Sequence, residues 1–521
     1  MPESMPREGP AQAGRYIGPA EAGHYTSPAE AGHHTGPAEA GNYAGPRIAA
    51  WVLGALTAVA LAGSVYQVPI QVSDSLEVIE RVIPMPSATA AFVDGLHNSP
   101  TMLRPLKEVR TRLLVQTGDA LGGRYHLVFR GYHALAGAIL IALFVWVCRA
   151  RSWTDVAALA AALAVLTGMH TFVGLFRESF PVNHYLIVAV SALATFALAQ
   201  SRPVGNDRPY SYLRRWLTDL LAIVLLANAA LSFESGLLVW PVAVAAYAAG
   251  LRGISGRGVV LMTVVVVLYA GLRVGYLGKQ GAGVGERGTG FGAGALTQEE
   301  QIERFGNRPL VLYAYNVTTT AASVLLSQPQ VGRFTVVSAW NNGSLPPVFI
   351  VQIASSLLTT ALIGWYVFGL GPSGSRRWRE PVPLTFFAVL AVSALMSYAY
   401  AKDEIVSTAG VFYAVAVYVA VRAVLSLRPP VWAGALLIVV ALAVSSAWAI
   451  RSAGLHLRLR HGAFEARAGW AYVLWPTKRE AWPKDAHTLK VVSKMREEAL
   501  LRPTVAPAML PKWTDLWWGE D

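Results

Sequence analysis

The sequence predicts an all-α polytopic membrane protein with about eleven transmembrane helices. Three observations predict it. Hydrophobic residues make up 54% of the chain and charged residues 14%, apolar runs follow one another, and arginines gather in alternate loops. A soluble domain carries roughly 25% charged residues. With a mean hydropathy of +0.42, this chain cannot cover a water-facing surface of its size. The same apolar content excludes disorder along the whole chain. The single cysteine, Cys148, rules out an intramolecular disulfide and argues against a cysteine-based metal cluster. The net charge of +12 would suit nucleic acid. In a membrane protein, arginine on the inner loops accounts for it better, and no nucleic-acid partner is expected.

Residues 1–47 repeat with a nine-residue period. Gly18-Pro19-Ala20-Glu21-Ala22-Gly23-His24 returns from Ser27 and again from Gly36. A Pro/Gly/Ala repeat buries nothing, so a disordered cytoplasmic tail is expected. The first span, 48–67, starts too far from the N-terminus for a signal peptide and has no obvious cleavage site. Further spans are expected near 128–148, 153–175, 184–200, 215–233, 236–251, 258–276, 346–368, 383–400, 405–425 and 431–451, since a crossing needs about 20 apolar residues. The run 309–328 is interrupted by Tyr313, Tyr315, Asn316 and a threonine cluster. It reads as a span, a re-entrant helix or an interfacial helix.

Charge decides between these. With the N-terminus inside and 309–328 not crossing, the inner loops hold Arg149 and Arg151; Arg202, Arg208, Arg214 and Arg215; Arg252 and Arg257; Arg376, Arg377 and Arg379; Arg422 and Arg428. If 309–328 crossed, the Arg376–Arg379 cluster and Arg428 would move outside, against the inner preference of basic residues. The C-terminus is then extracytoplasmic. The outer segments are 68–127, 277–345 and the C-terminal region 452–521, with 48–451 as the membrane domain. The last region has an amphipathic stretch near 485–501. Its tryptophans, Trp470, Trp475, Trp482, Trp513, Trp517 and Trp518, point to a membrane interface or a stacking surface.

Ionisable groups at membrane depth are costly and usually functional. Those near the spans share the outer side: Asp74, Arg177, Glu178, Glu234, Lys402, Asp403 and Glu404. Asp403 and Glu404 also read as ordinary solvated loop acids. Glu234 stands between apolar runs with almost no loop to hydrate it, so it needs a cation, a metal or a substrate as partner. Such a surface can be open to a lipid headgroup from the side and to an acceptor from above. A carboxylate there can deprotonate a hydroxyl while Arg104, Arg177, His184 or Lys402 neutralises a leaving phosphate.

Four segments carry a resemblance: Asp74 just past the first span; Leu103-Arg104-Pro105-Leu106 with Gly122-Gly123-Arg124-Tyr125-His126-Leu127 and Tyr132-His133-Ala134-Leu135; Phe180-Pro181-Val182-Asn183-His184; and Ser232-Phe233-Glu234-Ser235-Gly236-Leu237-Leu238-Val239-Trp240-Pro241. In their order and spacing the chain resembles the C-type (GT-C) membrane glycosyltransferases, in the branch of the protein O-mannosyltransferases and aminoarabinose transferases. Three points depart from the pattern. Asp74 is flanked by serines rather than paired with a second acid, although Glu77 and Glu80 follow. Phe233 stands where a lysine is usual, and there are no tetratricopeptide repeats.

The resemblance implies transfer of a sugar from a polyprenyl-phosphate donor to a lipid, glycan or protein acceptor on the extracytoplasmic face. It implies Asp74 as general base or acceptor-orienting carboxylate, Glu178 and Glu234 as site-organising or metal-holding acids, with Asp74 beside them if a metal is held, and Arg104 and His184 on the donor phosphate. Lys402 joins the phosphate-binding set by position alone. If a metal is used, the oxygen ligands suit Mg2+ or Mn2+. Two other readings stay open: a transporter or lipid flippase, for which no inverted repeat is visible among the spans, and a non-catalytic polysaccharide-assembly protein.

Overall fold

Helical capping and glycine contacts set the two ends of the bundle. The computed structural model describes residues 44–70, 72, 76–97, 103–172, 183–201, 212–273, 299, 302–303, 306–327, 340–343, 347–369, 376–398, 403–427, 430–474 and 485–501. The nine-residue repeat lies outside them, as does every tryptophan named above except Trp470. Every regular element among the described residues is helical.

In chain order the α-helices are α1 (Ala44–Gln67), α2 (Leu76–Val82), α3 (Ala88–His97), α4 (Pro105–Ala120), α5 (Tyr125–Cys148), α6 (Trp153–Gly168), α7 (His184–Ala199) and α8 (Tyr212–Ala230). After a 3-10 turn at Glu234–Leu238 come α9 (Val239–Ala248), α10 (Gly256–Gly271), α11 (Pro309–Leu325), α12 (Pro347–Phe368), α13 (Pro381–Met396), α14 (Ser407–Leu425), α15 (Val431–Ala468) and α16 (Ala486–Leu501).

Five helical stretches are long and apolar enough to cross a membrane: Ala44–Gln67, Tyr125–Cys148, Phe349–Phe368, Glu404–Leu425 and Gly434–Leu457. Side chains such as Leu56, Val59, Leu135 and Val439 stand 61–70% exposed on them, and only lipid covers such a surface at low cost. Trp153–Gly168, His184–Ala199, Glu234–Ala248, Gly256–Gly271 and Pro381–Met396 are apolar but shorter. A helix of 16 residues is about 24 Å long, short of a hydrocarbon core of about 30 Å. The helix α8 matches the expected span 215–233 in place, but it is not among these apolar helices.

At the centre, α14 is buried from Ser407 through Tyr418, and α7 is buried over most of its length. A helix that is apolar all round belongs inside a bundle. Phe196 and Phe412 meet edge to face at 5.7 Å where these two helices pack.

Two sets of polar contacts mark two ends of the bundle. At one end Ser152 and Asp155 form a capping box for α6. Asp155 also accepts from Arg422 at 2.7 Å, which ties the start of α6 to the end of α14. Nearby, Asp219 accepts from the Ser255 backbone N–H and hydroxyl, and Gly253 donates to the Ala199 carbonyl. At the other end Leu106 donates to the Leu231 carbonyl, Ser407 to that of Thr171, and Asn316 to that of Tyr398.

The segment expected as an outer loop at 68–127 folds into α2, α3 and α4. It shares a second core with the C-terminal part of the chain. Ile70, Leu76, Ile79, Val115, Tyr125 and Phe129 pack with Trp470, Val491, Val492 and Met495. Trp470 is 1% exposed and its Nε1 donates to the Ile70 carbonyl at 3.1 Å. It is therefore a core residue, neither an interfacial anchor nor a stacking surface. The helix α15 runs through residue 451 to Ala468 and continues as a π-helical turn, Gly469–Leu474. The expected boundary at 451 thus falls inside a helix.

Candidate functional site

The candidate site lies at the end of the bundle that carries α4, and a close turn builds it. After α8 the chain reverses at 231–233 and enters the 3-10 turn. A Cβ on Gly236 would lie 2.1 Å from the backbone carbon of Ala229, so only glycine lets the turn fold back on α8. This reversal fixes Phe233 and Glu234. Opposite them, Pro105 occupies the first turn of α4, a position that needs no N–H donor. Arg104 is the preceding residue and is held against the reversal by the Leu106–Leu231 hydrogen bond of 3.1 Å.

Arg104 and Glu234 form a forked pair. Nε of Arg104 lies 3.0 Å from both carboxylate oxygens, and Nη2 lies 2.5 Å from Oε2. Arg273, just past α10, donates from Nη1 to Oε1 of Glu234 at 2.8 Å. Burial pushes the Glu234 carboxyl upward, but the Arg104 and Arg273 guanidiniums outweigh it and hold the group down to about 2. Glu234 is therefore ionised throughout the physiological range.

Phe233 is the platform of the cluster. The Arg104 guanidinium sits 4.1 Å above its ring centroid, His184 stacks parallel at 6.0 Å and Tyr185 meets it edge-on at 4.8 Å. Phe233 thus organises three neighbours. His184 opens α7 behind its N-cap Asn183, whose side chain accepts from Leu186 N at 2.9 Å.

The surroundings are strongly cationic. Lys107, Arg104 and Arg110 are the charged groups that act on His184. Arg110 donates to the Ser232 hydroxyl and to Oδ1 of Asn228, and burial pushes its guanidinium below its ordinary value. Lys107 also feels the Glu108 carboxylate on its own helix. Arg104 and Arg273 thus pair with Glu234, while Lys107 and Arg110 join Arg104 in acting on the adjoining His184.

Of the expected site residues, the structure joins Arg104 to Glu234 and brings His184 beside them. Asp74, Arg177, Glu178 and Lys402 lie outside the described residues. The Asp403 backbone begins a 3-10 turn, Asp403–Val406, and its side chain is not described. Glu404 is half-buried and its carbonyl accepts from Ser407 Oγ at 2.7 Å. The chain on either side of Asp74 is anchored: Arg130 donates to the Val68 and Pro69 carbonyls, and Leu76 is buried.

Lys107, Arg110 and Arg273 were not expected. A signal for Arg273 does exist in the sequence. It is a lone arginine at the expected outer end of a span, where basic residues are disfavoured. Arg110 carries no such mark, because α4 reads as an ordinary polar segment.

No group of three metal-ligating side chains occurs among the described residues. Both oxygens of Glu234 are already taken by guanidinium donors, so this acid as placed does not fit Mg2+ or Mn2+. No family model, no curated protein and no solved structure matches the chain.

Proposed function

We propose that the chain is a membrane glycosyltransferase that moves a sugar from a polyprenyl-phosphate donor to an acceptor on the extracytoplasmic face. The observation that carries this reading is the pairing of Arg104 and Arg273 with Glu234 and the convergence of Arg104, Lys107 and Arg110 on the adjoining His184. Against the two carboxylates named beside them, Glu234 and Glu108, these four bases keep an excess of positive charge, and a phosphate is the anion that suits several guanidinium forks.

In the proposed reaction Asp74 takes the proton from the acceptor hydroxyl. The hydroxyl oxygen forms its bond to the anomeric carbon while the bond from that carbon to the phosphate oxygen breaks. The electron pair leaves with polyprenyl phosphate, and Arg104 and its neighbours neutralise that charge as it develops. Glu234, ionised and doubly paired, holds Arg104 and Arg273 in place and does not itself transfer a proton. No step is assigned to a metal.

The proposed topology has eleven spans, with the N-terminus cytoplasmic and the C-terminus extracytoplasmic. The shared core of the first outer segment and the C-terminal helix supports it. Two segments that pack together lie on one side of the membrane, so an odd number of spans separates the N-terminal tail from the C-terminus. The shorter apolar helices and α8 then cross with their ends completed by turns.

Incubating the purified protein with polyprenyl-phosphate sugars tests the activity. Release of polyprenyl phosphate is expected, lost in Asp74→Asn and weakened in KM by Arg110→Gln. If no donor is consumed by the wild type and cellular glycans are unchanged in Asp74→Asn, the reading fails. Net movement of lipid across liposomes without sugar transfer would favour a flippase.

A further inference from the structure

The end of the bundle opposite the candidate site holds a second cationic feature. Between the start of α1 and the end of α5 lies a groove of about 270 Å3 lined by Arg47, Trp51, Trp146, Arg149 and Arg151, with Ala50, Val145 and Ala150 at its base. A Cβ on Gly54 would lie 2.7 Å from Cγ2 of Val145, so its absence lets the two helices approach.

The three arginines have no carboxylate partner among the described residues. The nearby Asp155 is occupied by Arg422 and the α6 cap. Arg149 ends α5 in the left-handed region at φ 49° and donates to the Gln200 carbonyl. Burial and the neighbouring Arg151 both push its guanidinium below its ordinary value. Arg149 and Arg151 thus repel each other, and the acid beside them, Asp155, accepts from the Arg151 backbone N–H and from the Arg422 side chain, so an anion would relieve the site.

The groove opens onto lipid-facing surface. Ile48, Val52, Leu56 and Val59 make one exposed stripe along α1, and Leu135, Ile139 and Trp146 make another along α5, each at helical spacing. Trp51 and Trp146 are 45% and 58% exposed at the mouth, where tryptophan favours the headgroup level. Phosphate-binding groups are thus continuous with surface for acyl chains.

We propose that this groove binds the headgroup phosphate of an anionic phospholipid, with Arg47, Arg149 and Arg151 on the phosphate and the acyl chains along α1 and α5. The site is separate from the proposed transferase centre and stands whether or not that reading holds. On the proposed topology it faces the cytoplasmic leaflet, whose anionic lipids attract basic side chains.

The test uses the full-length protein in mild detergent with equal amounts of phosphatidylglycerol and phosphatidylcholine. Lipids retained on the protein are counted by native mass spectrometry. Wild type is expected to retain phosphatidylglycerol preferentially, and Arg47→Gln and Arg151→Gln each to reduce that preference roughly fivefold. Arg252→Gln removes a charge at the same end, outside the groove, and should leave the preference intact. Inorganic phosphate at the lipid concentration should not displace the lipid. Independently of any substitution, phosphatidylglycerol should raise the wild-type Tm more than phosphatidylcholine does. Equal retention of the two lipids overturns the proposal. An equal loss in Arg252→Gln, or full displacement by inorganic phosphate, does so too.

Discussion

Phe233 and Glu234 occupy adjacent positions and act differently. Phe233 supplies a ring face to Arg104 and His184, and Glu234 supplies charge to Arg104 and Arg273. Removing that charge leaves two half-buried guanidiniums facing each other. Glu234→Gln should therefore lower stability by about 2 kcal/mol at neutral pH, as charged hydrogen bonds of this type contribute. Arg104→Lys should cost less, because charge is kept and only the planar fork is lost. The pH dependence has a definite sign. The folded group titrates near 2, below the ordinary 4.5, so its stabilisation is present above 4.5 and is lost as pH falls through 2. Thermal melts of wild type and Glu234→Gln should differ by a constant amount above pH 5 and converge toward pH 2. A gap that stays unchanged down to pH 2 would remove the ion pair as its cause. Glu234 is legible as a paired residue because a carboxylate between two apolar runs is too costly to stand there without a partner. Its two partners are only half legible, since nothing in a linear sequence says that Arg273 returns to it.

At the scale of elements, the apolar helices are readable because hydropathy over about 20 residues reports them directly. The helices α2, α3 and α4 are not, because the first two, at 7 and 10 residues, are too short for such a window, α4 is polar, and their partners lie far along the chain. The helix α15 extends past 451 for a related reason: the basic stretch from Arg451 to Arg467 ends the hydropathy signal but does not disfavour helix. The packing of α3 on α4 carries a second titration. Arg81 bridges Asp94 at 3.4 Å and also pairs with Glu108, whose other oxygen, Oε2, is buried without a hydrogen bond. Burial pushes Glu108 up to about 7, and the opposing pull of Arg81 does not cancel it. Here the folded form binds its proton more tightly than the unfolded chain does. The stability this gives is complete below 4.5 and is lost as pH rises through 7. The change amounts to about 3 kcal/mol at most across that window, and Arg81, 35% exposed and so screened by solvent, opposes it only weakly. Glu108→Gln should flatten the melting temperature between pH 4.5 and pH 7.5. A profile as steep as that of wild type would show that another group titrates there.

At the scale of the whole molecule, the second core makes α2 and α4 inseparable from the C-terminal helix α16. The turn at Gly123 touches Lys494, with its Cβ position 3.1 Å from Cγ, and His487 lies 3.7 Å from Asp119. The two ends of the bundle are equally distinct, since the Asp155–Arg422 and Asp219–Ser255 contacts belong to the opposite end. The lone cysteine makes this testable, because Cys148 is 4% exposed and gives little background to a thiol reagent. Leu121 and Lys494 are each 48% exposed and lie on the side with the second core, whereas Arg252 lies at the other end. In intact cells a membrane-impermeant maleimide should label Leu121→Cys and Lys494→Cys alike, and label Arg252→Cys only after permeabilisation. Labelling of Leu121→Cys without Lys494→Cys would break the shared core. Labelling of Arg252→Cys alone would keep the core but invert the chain. The cationic cluster would then face the cytoplasm, and a donor presented on the extracytoplasmic face could not reach it.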